Sequence, residues 1–326
     1  MKLSTEDIFL RLLTALWLRP ERALWDAHEL FIVRDFLGDN FAQPSMEYGC
    51  TDGVPTFIML GGEFEFTFDD YQEVKWDKNS FKDHSMLSSD YFDQFDSGKK
   101  SETRIARLPT NHFEYGISWK DSHIRKSERL SVYNKLVCVE LGAPLEQLQD
   151  DYFQTIFAPN LFWMGNNDLS STFAELKRVL CHDGRIITIF PDISQKDCLF
   201  HRFAEESDVQ WINDLDRGMH INLTRQARSL EDWEECFGQY GLCVTRQERF
   251  IPSLVSEVYQ IGLRPMFPVF MNMYEKLREH SETEWMDLKM HWIDTISHFL
   301  SPLCETGWME EKGMDKVWHI FELQHA

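Results

Sequence analysis

The segment Glu47-Tyr48-Gly49-Cys50-Thr51-Asp52-Gly53 does most to limit what this chain can fold into. It joins the short run Ser45-Met46-Glu47-Tyr48-Gly49 to the apolar run Phe57-Ile58-Met59-Leu60, and the sequence reads as strand, glycine turn and helix. Glycines at such a turn let the backbone come close to a ligand, and the first turn of the helix offers free N–H groups to an anion. A pyrophosphate site would want GxGxxG, which is absent, so a nicotinamide dinucleotide is disfavoured.

The rest of the chain repeats that alternation. Upstream, Leu12, Leu16, Leu24, Ala27, Leu30 and Phe31 fall at helical spacing, broken at Arg19-Pro20, where proline ends one helix and begins another. Downstream, Phe113 to Ser118, Leu136 to Leu141, Tyr152 to Pro159 and Arg185 to Phe190 read as strands. A helix over Thr172 to Leu180 is expected to stop at His182-Asp183-Gly184, and a helix over Leu230 to Tyr240 to close at Gly241 before a strand from Leu242 to Phe250. Phe267, Phe270, Met271, Tyr274 and Leu277 form a helical stripe, as do Trp285, Leu288, Trp292, Ile296, Phe299 and Leu300, and Lys316 to Leu323 reads as a last strand. Strands alternating with helices give a parallel sheet covered on both faces. The expectation is an α/β Rossmann-like fold with a seven-stranded, mostly parallel sheet. It has N-terminal helices, an insertion after the glycine turn and a helical insertion before the last strand. The core is expected over 1–60, 112–250 and 314–326, with 61–111 as an insertion or lid and 251–313 as a helical cap.

Composition removes several classes of function. With 33 Lys plus Arg against 54 Asp plus Glu the formal charge is −21, which repels phosphate backbones and anionic lipid. Nucleic acid and membrane are therefore unfavoured partners, and no apolar run reaches the roughly 18 residues of a spanning helix. Seven cysteines without a CxxC pair read as reduced thiols of a cytoplasmic protein. The 12 histidines show no HxxxH or HxH spacing, so no metal is expected.

An acidic residue ahead of Gly-Cys-x-Asp-Gly resembles the first motif of class I S-adenosylmethionine (SAM) dependent methyltransferases. Tyr152 to Trp163 is similar to their fourth strand and loop. Phe173 to Leu180 with Asp183-Gly184-Arg185-Ile186-Ile187 is similar to the helix, turn and fifth strand that follow, and Ser229 to Trp233 with Tyr240-Gly241-Leu242 to the helix entering the sixth. The resemblance implies SAM as cofactor, with Glu47, Gly49, Cys50, Asp52 and Gly53 around its methionine part. Ser118 and Trp119 would stand at the ribose, where the family has an acid, and Gly142 and Ala143 near adenine. Asn160 and Leu161 would line the same crevice. Thr51 stands where the family has glycine.

Beyond the fifth strand, Trp211 to His220 gathers acids, an arginine and a histidine. Histidine is suited to proton transfer near neutral pH, and a carboxylate can orient it. His220 or His201 is the candidate base, with Asp216 beside it, and Arg217 and Trp163 are candidate substrate contacts. The expected function is SAM-dependent methyl transfer to a small or medium acceptor, such as a sugar or secondary-metabolite hydroxyl. A non-catalytic binding partner of the same fold, or an enzyme using a SAM variant, is the alternative. A homodimer is left open.

Overall fold

The computed structural model describes residues 3–71, 104–140, 142–159, 161–164, 169–206, 223 and 225–326. Helix α1 (Thr5–Ala15) opens on a capping box in which Ser4 and Asp7 bond each other's backbone N–H groups. Pro20 stands at the first position of α2 (Pro20–Leu37), where its missing N–H costs nothing, and Gly38 ends that helix at φ 77°. The break at Arg19-Pro20 is thus the elbow between two helices.

The main sheet contains β1 (Ser45–Tyr48), β4 (Phe113–Ser118), β5 (Tyr133–Cys138), β6 (Phe153–Ala158), β7 (Leu180–Pro191), β8 (Leu242–Arg249) and β9 (Trp318–His325). Their order is β5-β4-β1-β6-β7-β9-β8. The first five run parallel, and β9 lies antiparallel between β7 and β8. This is the seven-stranded, mostly parallel sheet with N-terminal helices that the sequence predicts. Two further strands, β2 (Glu63–Phe64) and β3 (Ile105–Arg107), pair with each other at the two ends of the insertion, which sequence periodicity did not reveal.

Helices α3 (Val54–Met59), α4 (Asp121–Ser127), α5 (Leu169–Val179), α6 (Leu199–Glu206) and α7 (Leu230–Gln239) connect the strands. Phe57, Phe113, Phe153, Phe157, Phe173 and Trp233 are fully buried between these layers, each worth about 2 kcal/mol of transfer free energy. After β8 come α8 (Ser253–Glu257), a π-helical turn (Val258–Leu263), α9 (Phe267–His280), α10 (Glu282–Leu300) and α11 (Gly307–Glu311). The aromatic stripe of α9 is core, but of a separate cluster: Phe267, Met271 and Tyr274 pack with Trp17, Leu18, Tyr71 and Trp285.

Several boundaries differ from expectation. Helix α5 ends at Val179 rather than Leu180, and Gly184 is no helix stop, because residues 180–184 already belong to β7. Leu180 pairs with Phe153, and a Cβ on Gly184 would sit 2.7 Å from Leu180 Cδ1 and 2.8 Å from the Phe153 carbonyl. That glycine serves a close approach between chains where the β6–β7 register shifts. Strand β5 starts earlier than expected, at Tyr133, and the last strand later, at Trp318. In β5, an edge strand, polar residues weaken the period-2 signal that marks its start.

Candidate functional site

Strands β4 and β6 flank β1, and the strand order reverses between them, which is where open α/β sheets bind ligands, at the carboxyl ends. The glycine turn hangs at that point. Gly49 (φ 91°), Thr51 (φ 48°) and Gly53 (φ 77°) all take left-handed backbone. For Thr51, a β-branched residue, this is strained, and such strain collects at functional sites. The Gly49 and Cys50 N–H groups both donate to the Ile117 carbonyl, at 2.8 and 2.9 Å, which ties the turn to the end of β4. Asp52 is buried and its Oδ1 accepts from Val54 N at 3.1 Å, steering the chain into α3. Helix α4 closes the turn from the other side: Ser127 Oγ donates to the Thr51 carbonyl at 3.2 Å, and a Cβ on Gly53 would meet Ser127 Oγ at 2.9 Å.

Glu47 sits under the turn, with Thr56 Oγ1 donating to both its oxygens at 2.9 and 2.8 Å and Tyr133 OH at 2.8 Å to Oε2. Tyr133 is on β5 and has to cross β4 to reach β1. It does so over Gly116, the residue paired with Glu47, where a Cβ would stand 2.7 Å from the tyrosine ring. Burial pushes the Glu47 carboxyl up to about 7, against the lowering effect of these two hydroxyls.

Opposite the turn, α2 presents Arg22, Asp26 and Glu29 at i, i+4 and i+7, one face of the helix. Arg22 Nε and Asp26 Oδ2 are 3.3 Å apart, and among the described residues the Arg22 Nη groups have no hydrogen-bond partner. Both side chains are half-buried. Burial raises the carboxyls of Asp26 and Glu29 above their usual range, with Arg22 pulling each back. Asp70, whose Oδ1 lies 2.9 Å from Lys126 Nζ, is likewise raised by burial and lowered by that lysine. Glu47, Asp52, Asp26, Glu29 and Asp70 thus form one chain of electrostatic neighbours that includes Arg22 and Lys126. Carboxyl groups outnumber cations there, and a cation bound among them would pull them back toward the ionised form.

The roof is the segment before residue 72. Asp69 accepts from Trp17 Nε1 at 3.2 Å, from the Tyr71 N–H at 3.0 Å and from Tyr274 OH. Lys289, fully buried, donates to the carbonyls of Phe66 (3.0 Å) and Phe68, and burial pulls its ammonium down to about 8. These contacts tie the strap to the α1–α2 elbow and to the C-terminal helices.

Of the residues singled out in the sequence, Glu47, Gly49, Cys50, Asp52 and Gly53 form the turn and Ser118 ends the adjoining strand. Ser118 is fully buried and its hydroxyl lies 2.9 Å from His123 Nδ1, while Trp119 stands edge-on to the same histidine at 6.2 Å. Cys50 is buried, which raises its thiol well above the ordinary range. Gly142 (φ 76°) and Ala143 make a tight turn after β5, closed by Ala143 N–H to the Glu140 carbonyl at 3.0 Å. Leu161 is buried and belongs to the main hydrophobic cluster. Asn160, Asp216, Arg217 and His220 lie outside the described residues, as do the side chains of His201 and Trp163. Sequence reasoning missed the α2 row, Asp69-Asp70-Tyr71 and Lys126. A trace of the first was present, since Arg22, Asp26 and Glu29 share one face of the helix.

No protein-family profile matches the chain, and no curated protein resembles it. Among solved structures it is similar to a SAM-dependent methyltransferase from Geobacter sulfurreducens in complex with S-adenosyl-L-homocysteine: 13% identity over 86% of this chain and 84% of that one, TM-score 0.40. It is also similar to the geranyl diphosphate C-methyltransferase of Streptomyces coelicolor A3(2), at 9% identity over 95% and 84%, TM-score 0.42. The [4+2]-cyclase SpnF matches at 10% identity over 92% and 81%, TM-score 0.43. Strand order, the antiparallel insertion of β9 and the glycine turn after β1 make a Rossmann-like fold with a seven-stranded, mostly parallel sheet.

Proposed function

We propose that the protein transfers a methyl group from SAM to a small acceptor. The observation that carries this reading is the cluster of carboxyls that α2 and Asp70 bring to the glycine turn, at the carboxyl end of β1. A sulfonium and an α-ammonium are cations, and Asp26, Glu29, Asp52 and Asp70 offer them carboxylates in a partly desolvated setting. The Nη fork of Arg22 suits the α-carboxylate of the same amino-acid end. The residues present therefore fit SAM at its methionine part.

SAM supplies an electrophilic methyl group, which leaves the protein the tasks of aligning an acceptor and keeping water out. The turn positions the ligand by its backbone, and Glu47, held by Thr56 and Tyr133, keeps the turn's base rigid. The strap with Asp69, Asp70 and Tyr71 covers the carboxyl cluster and excludes water. For a hydroxyl acceptor, His220 or His201 is the candidate base, oriented by Asp216, with Arg217 and Trp163 as substrate contacts. Functionally the chain divides into a core, 1–60, 112–250 and 314–326, and two covers, 61–111 and 251–313.

Ser118 favours a second reading. Its hydroxyl is occupied by His123 where the family has a ribose-binding acid, so a SAM variant or a non-catalytic binding role is the competing function. Titration calorimetry with SAM and with S-adenosylhomocysteine tests the pair. Low-micromolar binding of both is expected, and no binding to folded protein overturns the methyl-transfer reading.

A further inference from the structure

Arginines from α1, α2 and β3 gather around one carboxylate of β2. Arg11 donates from Nη1 to the Gly62 carbonyl at 3.4 Å, and its Nη2 stands 3.8 Å from Glu63 Oε2. Arg107 donates to that same oxygen as the cross-strand partner of Glu63 in the β2–β3 pair. Arg34, in the last turn of α2, places Nη2 3.9 Å from Asp39 Oδ1, and among the described residues its buried Nη1 has no hydrogen-bond partner. Burial, Arg107 and Arg34 pull the Arg11 guanidinium below its ordinary range, against Glu63 and Asp7, so the three cations lie within one another's field.

Ordinary structural roles account for part of this cluster. A cation suits the carboxyl-terminal turn of α2, and Arg107 and Glu63 satisfy each other across the strand pair. Arg11 and Arg34 are left with little compensation. Asp7 is committed to the cap of α1, where its Oδ2 accepts from Ser4 N at 2.9 Å and Ser4 Oγ at 2.8 Å, and Asp39 is 93% exposed, where water screens it. In a chain of net charge −21 such a pair is a local exception, and a bound anion would relieve its self-repulsion. Both guanidiniums are mostly buried, a setting in which ion pairs are stronger than at the open surface. Arg34 follows Arg22 by 12 residues of α2, about 18 Å along the axis, so the cluster stands apart from the glycine turn.

We infer that Arg11, Arg34 and Arg107 form a binding site for a dianionic phosphoryl group, either free phosphate or the phosphate of a small metabolite, and that Glu63 is the internal carboxylate with which it competes. The two guanidiniums that Glu63 does not neutralise match two negative charges. The planar fork of arginine matches phosphate oxygens, and Glu63 Oε2 marks a point that two of the three forks approach. Arg34 reaches the ligand by rotation about its flexible stem, which also gives Nη1 an acceptor. The inference is independent of the methyl-transfer reading.

The test is a phosphorus NMR titration of the full-length protein with inorganic phosphate and with glucose 6-phosphate, at constant ionic strength set by chloride and without S-adenosylhomocysteine. Wild type is expected to bind at least one of the two with a Kd of about 1 mM or tighter, and which one binds separates free from esterified phosphate. Arg34→Gln and Arg107→Gln each weaken binding about tenfold, the loss of a charge-assisted contact. Glu63→Gln tightens binding about threefold or more, a gain that damage to the fold does not produce. Absence of binding by both phosphates at about 10 mM overturns the inference, as does binding indifferent to residues 34 and 107. Binding by Glu63→Gln no tighter than wild type, or succinate competing on equal terms with phosphate, also overturns it.

Discussion

The two rims of the sheet's carboxyl edge are built from opposite chemistry. On the rim of β1 and α2, carboxyls crowd around two cations, and burial raises Glu47, Asp26, Glu29 and Asp70. Around Gln195, Ser256 and the Val258–Leu263 turn, amides and hydroxyls are set among Phe162, Trp318 and Tyr259, with the Asp192–Arg249 ion pair and Arg264 at their edge. Charge in a low dielectric gives long-range attraction for a cation but little shape discrimination. Neutral donors and acceptors act only at contact distance and discriminate by geometry.

The comparison depends most on the strap that completes the charged rim. Lys289→Ala removes an ammonium that donates to two carbonyls, and a loss of about 3–5 kcal/mol in denaturant unfolding is expected, with weaker S-adenosylhomocysteine binding. In wild type the same lysine, near 8 when folded and 10.5 in its ordinary state, makes stability rise with pH between those values, because the unfolded chain binds the proton first. A flat profile over that window in wild type would show Lys289 to be better solvated than its burial indicates.

Glu47 titrates in the opposite sense. Its folded carboxyl is near 7 and its ordinary value 4.5, so between these pH values the folded state holds a proton that the unfolded state has released. Stability is full below 4.5 and falls as pH rises through about 7, by about 3 kcal/mol. Glu47→Gln should remove that slope, which urea unfolding at several pH values measures.

Gly53→Ala tests the turn itself. A side chain at φ 77°, with Ser127 Oγ 2.9 Å from its Cβ, should cost about 1–2 kcal/mol and reduce S-adenosylhomocysteine affinity. The smallest effect belongs to the amides. Gln226→Met loses the bond to the Phe162 carbonyl but also loses an unsatisfied oxygen, and should change stability by less than about 1 kcal/mol in thermal melts.

The turn at Gly49–Gly53 and its place between strand and helix were legible in the sequence, because both follow from glycine spacing and local apolar pattern. So was the alternation that builds the sheet, and the elbow at Arg19-Pro20. Gly184 misled, since a glycine after a helical run carries the same local signal whether it caps a helix or admits a neighbouring strand. The carboxyl cluster was not legible. Arg22 and Asp26 come near Asp52 of the turn only because α2 packs against α3, and Asp70 meets Lys126 across an insertion that has no sustained period of its own.

What this sequence determined by itself was the set of elements and their order, since strand, turn and helix preferences are properties of neighbouring residues. The tertiary structure alone decided which polar groups lost their water together. Desolvation of Glu47 under Tyr133, of Lys289 beneath the strap and of Gln260 in the cap depends on segments far apart in the chain closing over them. Burial is a property of the packed whole, and a linear pattern does not encode it.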